Sequence, residues 1–292
     1  MGGSMMDRPI SKREERLLLL AVFFFWFSVY TYPSFLTSYA VNQLGATQSM
    51  AGLIVGSYGF TQMLLRIPLG IVSDIVKKRK PFVMAGLAFS VLAAAGFSFA
   101  ALRAGQDHVP SWIALSALFF RGMSGITAAT WVNFSVLYSS GYEGDQVAAA
   151  MSRVIVPQCG SQVIAMLLGS QLADRFGALW AFLLALSAGI VGLILLSRIQ
   201  EPPIKGSPIT LRGCAEVARN PQLLTGSLLA AIYQLVVWST GLGFVQNWAK
   251  DVLLLSTAEL GYLSVAQLLP NTVISRFSGT VLMRRFGRKT GV

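Results

Sequence analysis

Long apolar runs alternate with short polar segments along this 292-residue chain. A helix that crosses the hydrocarbon layer of a membrane needs about 20 mostly apolar residues. The pattern predicts eight membrane-spanning helices, at residues 17–40, 49–73, 81–102, 111–138, 147–172, 179–198, 224–248 and 258–283.

Composition indicates an all-α integral membrane protein. Hydrophobic residues make up 54% of the chain and charged residues only 12%, with a mean hydropathy of +0.62, and these values lie outside the range of soluble globular domains. The two cysteines, Cys159 in a predicted span and Cys214 in a basic segment, do not support a disulfide framework. We therefore interpret the chain as a bundle of helices in a lipid bilayer.

The basic residues predict which way the chain crosses the membrane. Although the net charge is +11, the charges sit in short clusters between apolar runs, which is typical of membrane topology and argues against nucleic-acid binding. When Arg153 is counted with the polar segment beside it, 17 Lys and Arg residues fall on one side and 3 on the other, while Arg66, Arg121 and Arg276 lie inside spans. The positive-inside rule then places the amino terminus in the cytoplasm, in a multi-pass protein of the cell membrane.

Charge and turn residues divide the chain into four parts. We expect a cytoplasmic amino terminus at 1–16, a six-helix bundle at 17–198, a cytoplasmic linker at 199–223, and the first two helices of a second bundle at 224–292. The linker contains prolines, a glycine and an amphipathic stretch from Leu211 to Arg219 that predicts a short surface helix. It is either a hinge between bundles or a simple tether, and its composition favours the tether.

An internal repeat links the two parts. The segment Arg66–Lys80 recurs as Arg276–Thr290, displaced by 210 residues, with an apolar run ending in a basic cluster in both copies. Spans 1–2 and 7–8 would hold equivalent places in two successive six-helix bundles. Because the second bundle would then be incomplete, we expect the chain to be a truncated or fragmentary form of a longer protein.

The repeated segment resembles the loop signature of the major facilitator superfamily, G-x-L-A-D-R-x-G-R-R/K. Lys77 stands where the family has glycine and Ile75 where it has arginine; the matching positions are Gly70, Val72, Ser73, Asp74, Lys78 and Arg79. The second copy has Thr280 for the first glycine and Arg284 for the acid, and it keeps Leu282, Arg285, Gly287, Arg288 and Lys289. The resemblance covers nearly the whole chain, and it implies a transporter fold of two six-helix bundles.

The resemblance also implies roles within the loop. Asp74 would latch one bundle to the other in one access state by accepting hydrogen bonds from arginines or from a helix amino terminus. Gly70 would permit a close helix approach or a tight turn. The basic residues from Lys77 to Lys80 are explained by topology alone.

Three further segments resemble elements of the same family. Arg121 and Gly125 match an R-x-x-x-G element associated with proton-driven transport. Pro157, Gln158, Cys159 and Gly160 resemble an exporter element, although Val156 and Ser161 replace its flanking glycines. The stretch 172–177, LADRFG, is similar to the loop signature but falls on the outer side, so we interpret it as a turn.

Polar residues within spans are the candidates for a central site. Arg121 must face protein or a wet cavity, and it is the leading candidate for a coupling or anion-attracting residue, with a purely structural arginine as the alternative. The other coupling or substrate candidates are Tyr30, Gln62, Asn133, Gln158 and Gln162, with Pro157 as a bend, and Trp26, Tyr58, Trp131 and Gln234 complete the pool.

These observations predict a secondary active transporter of a small organic solute, leaning to proton-coupled efflux by a monomer in the lipid bilayer. The alternatives are a metabolite uptake transporter, a non-transporting sensor and an inactive fragment. No span carries a deep carboxylate, and the sequence contains neither a metal-ligand constellation nor a nucleophile–base pair within the spans. We therefore predict no metal, no cofactor and no enzymatic activity, and we expect a proton-relay acid, if one is used, outside these spans.

Overall fold

Helices account for the regular structure in the described part of this protein. The computed structural model describes residues 11–104, 110–142, 146–201 and 219–277. Their helices are α1 Lys12–Tyr30, α2 Pro33–Asn42, α3 Gln48–Val76, α4 Lys80–Ala104, α5 Ser111–Ala129, α6 Trp131–Ser139, α7 Gln146–Phe176, α8 Ala178–Ser197, α9 Pro221–Val236, a π-helical segment Val237–Phe244, α10 Val245–Val252 and α11 Thr257–Phe277. The predicted all-α membrane fold is confirmed.

Three of the predicted continuous spans are interrupted. The first divides into α1 and α2 at Thr31–Tyr32, the fourth into α5 and α6 at Thr130, and the seventh contains the π-helical segment. Pro33 explains the first break, because its ring occupies the first helical position of α2 and its nitrogen cannot donate a hydrogen bond to the preceding turn. The predicted spans at 17–40 and 111–138 are thus each formed by two helices, and the predicted span at 224–248 covers α9, the π-helical segment and part of α10.

The predicted turn at 172–177 is also corrected. Helix α7 runs on through Phe176, so this stretch is helical up to its last residue. Only Gly177 leaves the helix, with a φ of +91°, and α8 begins directly after it. The internal prolines Pro157 and Pro270 lie inside the continuous helices α7 and α11.

Among the residues that the structure describes, six stretches are long and apolar enough to cross a membrane. They correspond to the first six predicted spans, from Lys12–Asn42 to Ala178–Ser197. Of the later helices, α9 is apolar but has only 16 residues. The seventh and eighth spans therefore stay predictions, although their helices are present.

The first six stretches pack around a common core. Helix α1 lies against α7 and α8, α4 lies against α5 and α8, and α3 lies along α5. Tyr32, Phe97 and Phe182 meet at the break between α1 and α2, with the rings of Phe97 and Phe182 stacked at a centroid distance of 5.2 Å. Burial of these aromatic rings joins the second half of the first span to α4 and α8.

A glycine brings α5 onto α3. A Cβ at Gly125 would overlap both the side chain of Thr61 and the carbonyl oxygen of Tyr58. The close approach also lets the Thr61 hydroxyl donate to the carbonyl of Gly122 at 2.8 Å. The absence of a side chain at Gly125 therefore permits this close packing, whereas a Cβ at Gly56 on α3 would meet nothing within 4 Å.

The later helices contact this bundle unevenly. Helix α11 packs along α7, while all residues of α9 are exposed. The predicted surface helix at 211–219 falls, apart from Arg219, outside the described residues.

We expect Gly125→Ala to destabilise the protein by about 1–3 kcal/mol, because the added methyl group must displace the backbone of α3. Thermal unfolding of the purified protein in detergent measures the change. Gly56→Ala is the matched control, and we expect no loss of stability from it. Equal unfolding temperatures for the two variants would contradict the close contact between α5 and α3.

Candidate functional site

The loop signature forms a buried ion pair at one end of the bundle. We call the membrane face at which α1 begins the amino-terminal face, and the other the opposite face. Between α3 and α4, at the amino-terminal face, Arg79 Nη2 donates to Asp74 Oδ1. The two side chains are only 7% and 11% exposed. Because the two charges are largely shielded from water, each depends on the other as its partner, and removing one of them would destabilise the folded protein.

The guanidinium of Arg79 also holds α6 in this network. Its Nη1 donates to the hydroxyl of Ser73 and, at 3.2 Å, to Oδ1 of Asn133. Ser73 in turn donates to the same oxygen of Asn133. Burial lowers the pKa of Arg79, and the carboxylate of Glu201 acts in the opposite direction. The group nevertheless keeps its charge, because the ordinary pKa of arginine lies far above neutrality.

Glu201, which sequence reasoning missed, joins the end of the six-helix bundle to this loop. Its Oε1 accepts from the backbone N–H of Arg79 and, at 3.1 Å, from that of Lys80, the first residue of α4. Lys80 Nζ donates to the carbonyl oxygens of Ser197 and Ile199 at 3.0 and 2.8 Å, where α8 ends. A carboxylate thus satisfies a helix amino terminus and an ammonium group satisfies a helix carboxyl terminus. Topology alone therefore does not explain Lys80.

Lys77 occupies the position where the family signature has glycine, and its backbone shows why. It ends α3 in the left-handed conformation, with a φ of 53°. Glycine adopts this conformation without strain, whereas a side chain costs about 1–2 kcal/mol. Gly70 has no such requirement, since a Cβ there would meet only Val132 Cγ1 at 3.9 Å. The predicted close approach of helices at Gly70 is therefore wrong. Lys78, the next residue of the signature after Lys77, has an exposed side chain.

Arg121 lies inside the bundle, on α5. It is 1% exposed, and its guanidinium carbon lies 4.3 Å from the ring centre of Tyr58 and 5.4 Å from that of Tyr32. Its Nη1 donates to the hydroxyl of Ser124 at 3.2 Å, and its Nε has no hydrogen-bond partner among the described residues. Because Gly125 follows one turn later on the same face, the close contact of α5 with α3 brings Arg121 over Tyr58.

Aromatic side chains lie next to this arginine. Trp26 contacts Tyr30 and Trp131, with centroid distances of 5.6 and 5.1 Å, and Tyr30 interacts electrostatically with Arg121. Trp26 Nε1 and the hydroxyl of Tyr32 are buried and have no hydrogen-bond partner in the described part of the chain. The structure therefore brings Tyr30 and Arg121 together. Tyr32 was not predicted, because its contact with Arg121 depends on the break in the first span.

Asn133 does not belong to this central group. It lies beyond the break at Thr130, in α6, where it is buried and bonded to Ser73 and Arg79. Its prediction as a mid-span coupling or substrate candidate is corrected to a part of the loop network. Gln234, also in the predicted pool, is exposed on α9.

The remaining candidates lie on α3 and α7. Gln62, Pro157 and Gln158 are half-buried, and Gln162 is buried. A Cβ at Gly160 would meet nothing within 4 Å, so this part of α7 borders open space. No hydrogen bond from these glutamine side chains joins them to Arg121, and their roles stay predictions.

A second polar cluster at the amino-terminal face was also missed. Glu15 Oε1 accepts from Arg153 Nη1 at 2.6 Å and from the hydroxyl of Tyr138 at 3.2 Å. Arg153 lies over the ring of Tyr142, and burial raises the pKa of the Tyr142 phenol. The cluster connects α1, α6 and α7. The excess of basic residues at this face did not indicate in the sequence that Glu15 pairs with Arg153.

The structure leaves two sequence predictions untested. The second signature copy, with Arg285, Gly287, Arg288 and Lys289, lies outside the described residues. Within residues 11–104, 110–142, 146–201 and 219–277, no three His, Cys, Asp or Glu residues are grouped as metal ligands. The absence of a metal and of a cofactor stays a prediction.

Comparison with known proteins identifies the family. A model of the Major Facilitator Superfamily matches residues 18–291. The chain therefore belongs to this superfamily of membrane transporters, and the resemblance of its loop signature and span pattern is confirmed.

Relatives and solved structures agree with this assignment. The inner membrane transport protein YajR of Escherichia coli (strain K12) is 30% identical over 158 residues, which are 53% of this chain and 32% of that protein. The aligned part thus spans about a third of the length of this curated relative. A D-xylose-proton symporter superposes with a TM-score of 0.63 at 12% identity, covering 93% of this chain and 69% of its own. A POT family transporter in complex with a thioalcohol-conjugated peptide gives a TM-score of 0.54 at 16% identity, covering 94% and 53%. At these identities the two structures show the fold alone.

Lys77→Gly is expected to stabilise the protein by about 1 kcal/mol, because glycine adopts the left-handed conformation without steric cost. The unfolding temperature in detergent is the measurement. Lys78→Gly removes a neighbouring lysine without relieving a positive φ, so we expect no gain from it. A gain from both variants would point to charge repulsion in the basic cluster rather than backbone strain at Lys77.

Proposed function

We propose that this protein is a secondary active transporter that moves a small organic solute by alternating access between two helix bundles. The amino-terminal face is the cytoplasmic face of the cell membrane, in keeping with the distribution of Lys and Arg. We further propose proton-coupled efflux as the mode of transport. Family membership supports transport, as does the similarity to the inner membrane transport protein YajR.

The observation that carries the proposal is the buried charge of Arg121. A guanidinium within a membrane bundle is costly unless it is paired or faces a cavity. In the described part of the chain, its neighbours are aromatic rings and one hydroxyl, and no carboxylate forms an ion pair with it. Its Nε is left without a partner. Such an arginine can receive an anionic group of a substrate, or a carboxylate that releases a proton, in another state of the transport cycle.

The surroundings of Arg121 suit a change of partner. The rings of Tyr58 and Tyr32 stabilise the cation through their faces, and this interaction has little directional demand. The guanidinium can therefore turn toward a new acceptor while the rings still cover it. Resemblance to the R-x-x-x-G element at Arg121 and Gly125 favours proton coupling, and the segment at Pro157 favours export.

Transport can be tested without knowing the substrate. Proteoliposomes containing this chain are loaded with the small solutes of a microbial cell extract, and mass spectrometry follows which solutes leave when the outside is made acidic. We expect the exit of at least one solute to accelerate, because protons entering the vesicle drive the export. If every solute leaves at the rate seen in empty liposomes, the chain is not a transporter by itself.

Variants of Arg121 test whether this solute flux depends on its buried guanidinium. We expect Arg121→Gln to reduce the accelerated exit by roughly tenfold or more, since it removes the charge that pairs with the substrate or coupling group. Arg121→Lys keeps the charge but loses the planar fork, so an intermediate rate is expected. Arg103→Gln, near the end of α4, is the matched control for loss of one basic charge. Unchanged flux in Arg121→Gln would show that Arg121 is structural.

Asp74→Asn tests the proposed latch in the loop. We expect it to impair transport while the protein still inserts into membranes, because its charge pairs with Arg79 in this state and would bind the second bundle in the other. Flux per inserted protein is the measurement, with Lys78→Gln as a charge-changing control in the same segment. Wild-type flux from Asp74→Asn would rule the latch out.

A further inference from the structure

Helices α3 and α7 end in the same local backbone and sequence pattern, 100 residues apart. Asp74 and Asp174 both lie two residues before their helices end, at Val76 and Phe176. Each helix is followed by a residue with positive φ, Lys77 at 53° and Gly177 at 91°. Helices α3 and α7 are the second spans of two successive three-span groups, so they run in opposite directions and end at opposite membrane faces. Such an inverted repeat within a bundle is a known plan of transporter architecture.

Asp174 binds the amino terminus of a helix from the later part of the chain. Its Oδ1 accepts from the backbone N–H of Thr257, the first residue of α11, at 2.9 Å. The first N–H groups of a helix have no partner within the helix, and the helix dipole favours a negative charge at this end. Within α11 itself, Ser256 and Glu259 already form a reciprocal capping pair. The carboxylate of Asp174 is therefore an additional acceptor supplied by the six-helix bundle.

Further contacts join the same two parts of the protein at the opposite face. Gln171 Nε2 donates to the hydroxyl of Tyr262 at 2.9 Å, and Asn247 Nδ2 donates to Gln48 Oε1 at 2.9 Å. A Cβ at Gly261 would overlap the side chain of Ser170, so α11 and α7 are in close contact here. These contacts close the opposite face between the six-helix bundle and the later helices.

The amino-terminal face is arranged differently. There Asp74 pairs with Arg79 of its own bundle. Helix α9, which begins at this face, is exposed along its whole length. In this structure, therefore, Asp174 is engaged between the two parts of the protein, while the ion pair of Asp74 lies within one of them.

We propose that Asp174 is the latch of the opposite face and the counterpart of Asp74. Its carboxylate caps α11 while this face is closed, and it must release Thr257 before α7 and α11 can separate. Asp174 thus acts as a positioning residue that sets how often the opposite face opens. The inference rests on alternating access as proposed above, but it concerns an equilibrium that exists without substrate.

Thiol labelling measures this equilibrium. Ser170 is fully buried beside Gly261, so Ser170→Cys reacts with a membrane-impermeant maleimide only when α7 and α11 separate. Cys159 and Cys214 are replaced by serine, and the reagent is added to the opposite face of the protein in proteoliposomes without any solute. The labelling rate then follows the open fraction, even where that fraction is small. Met166→Cys, one turn earlier on α7 and also fully buried, serves as a second reporter.

We expect Asp174→Ala to increase the labelling rate roughly three- to tenfold, because both the hydrogen bond and the charge at the helix end are lost. Asp174→Asn keeps an acceptor oxygen without the charge, so a smaller increase is expected. Glu259→Gln is the matched control, since it removes a carboxylate from the same helix end but keeps the capping pair within α11.

Two results would overturn the proposal. One is a wild-type labelling rate in Asp174→Ala at both reporters. The other is an equal increase in Glu259→Gln, which would mean that any lost charge at this helix end loosens the contact. The labelling measurement does not depend on flux. Faster labelling in Asp174→Ala, with no solute exit from wild type, would contradict the transport function and support the latch. Solute exit from wild type, with unchanged labelling in Asp174→Ala, would support the transport function and contradict the latch.

Discussion

The absence of water in the membrane interior governs this structure. Every backbone N–H and C=O group in the hydrocarbon layer must find a partner within the protein, and helices meet this requirement along their own length. Where the helices break, the backbone is buried in protein: Thr31 and Tyr32 are fully buried, and Thr130 is 2% exposed. The same constraint applies to charge, so Arg121 lies among aromatic rings in the bundle interior rather than facing lipid.

The ends of the helices carry the electrostatic organisation of the protein. At the amino-terminal face, Glu201 accepts from the start of α4 and Lys80 donates to the end of α8. At the opposite face, Asp174 accepts from the start of α11. In each case a side chain from elsewhere in the fold satisfies unpaired backbone groups at the end of a helix. Such contacts can break and reform as whole helices move, because they involve exposed helix ends rather than packed helix faces.

The two faces of the protein differ in what the aspartate at the helix end binds. Asp74 has its ion pair with Arg79 inside the six-helix bundle, whereas Asp174 reaches α11. A transporter that opens to one side at a time needs contacts between its bundles that form at one face when they are absent at the other. The similar ends of α3 and α7 are the structural basis on which we propose that exchange.

The amino-acid sequence by itself determined the all-α membrane fold, the six apolar stretches of the bundle and the family, because hydrophobic run length and charge placement are properties of local segments. It also singled out Arg121, since an arginine within an apolar run is visible without a structure. Only the tertiary structure decided that Asn133 belongs to the loop network, that Tyr32 covers Arg121, and that Asp174 caps α11. Each of these contacts joins residues on different helices, and their meeting depends on helix breaks and on close approaches such as Gly125 against Tyr58. Periodicity along one helix carries no information about such distances between helices.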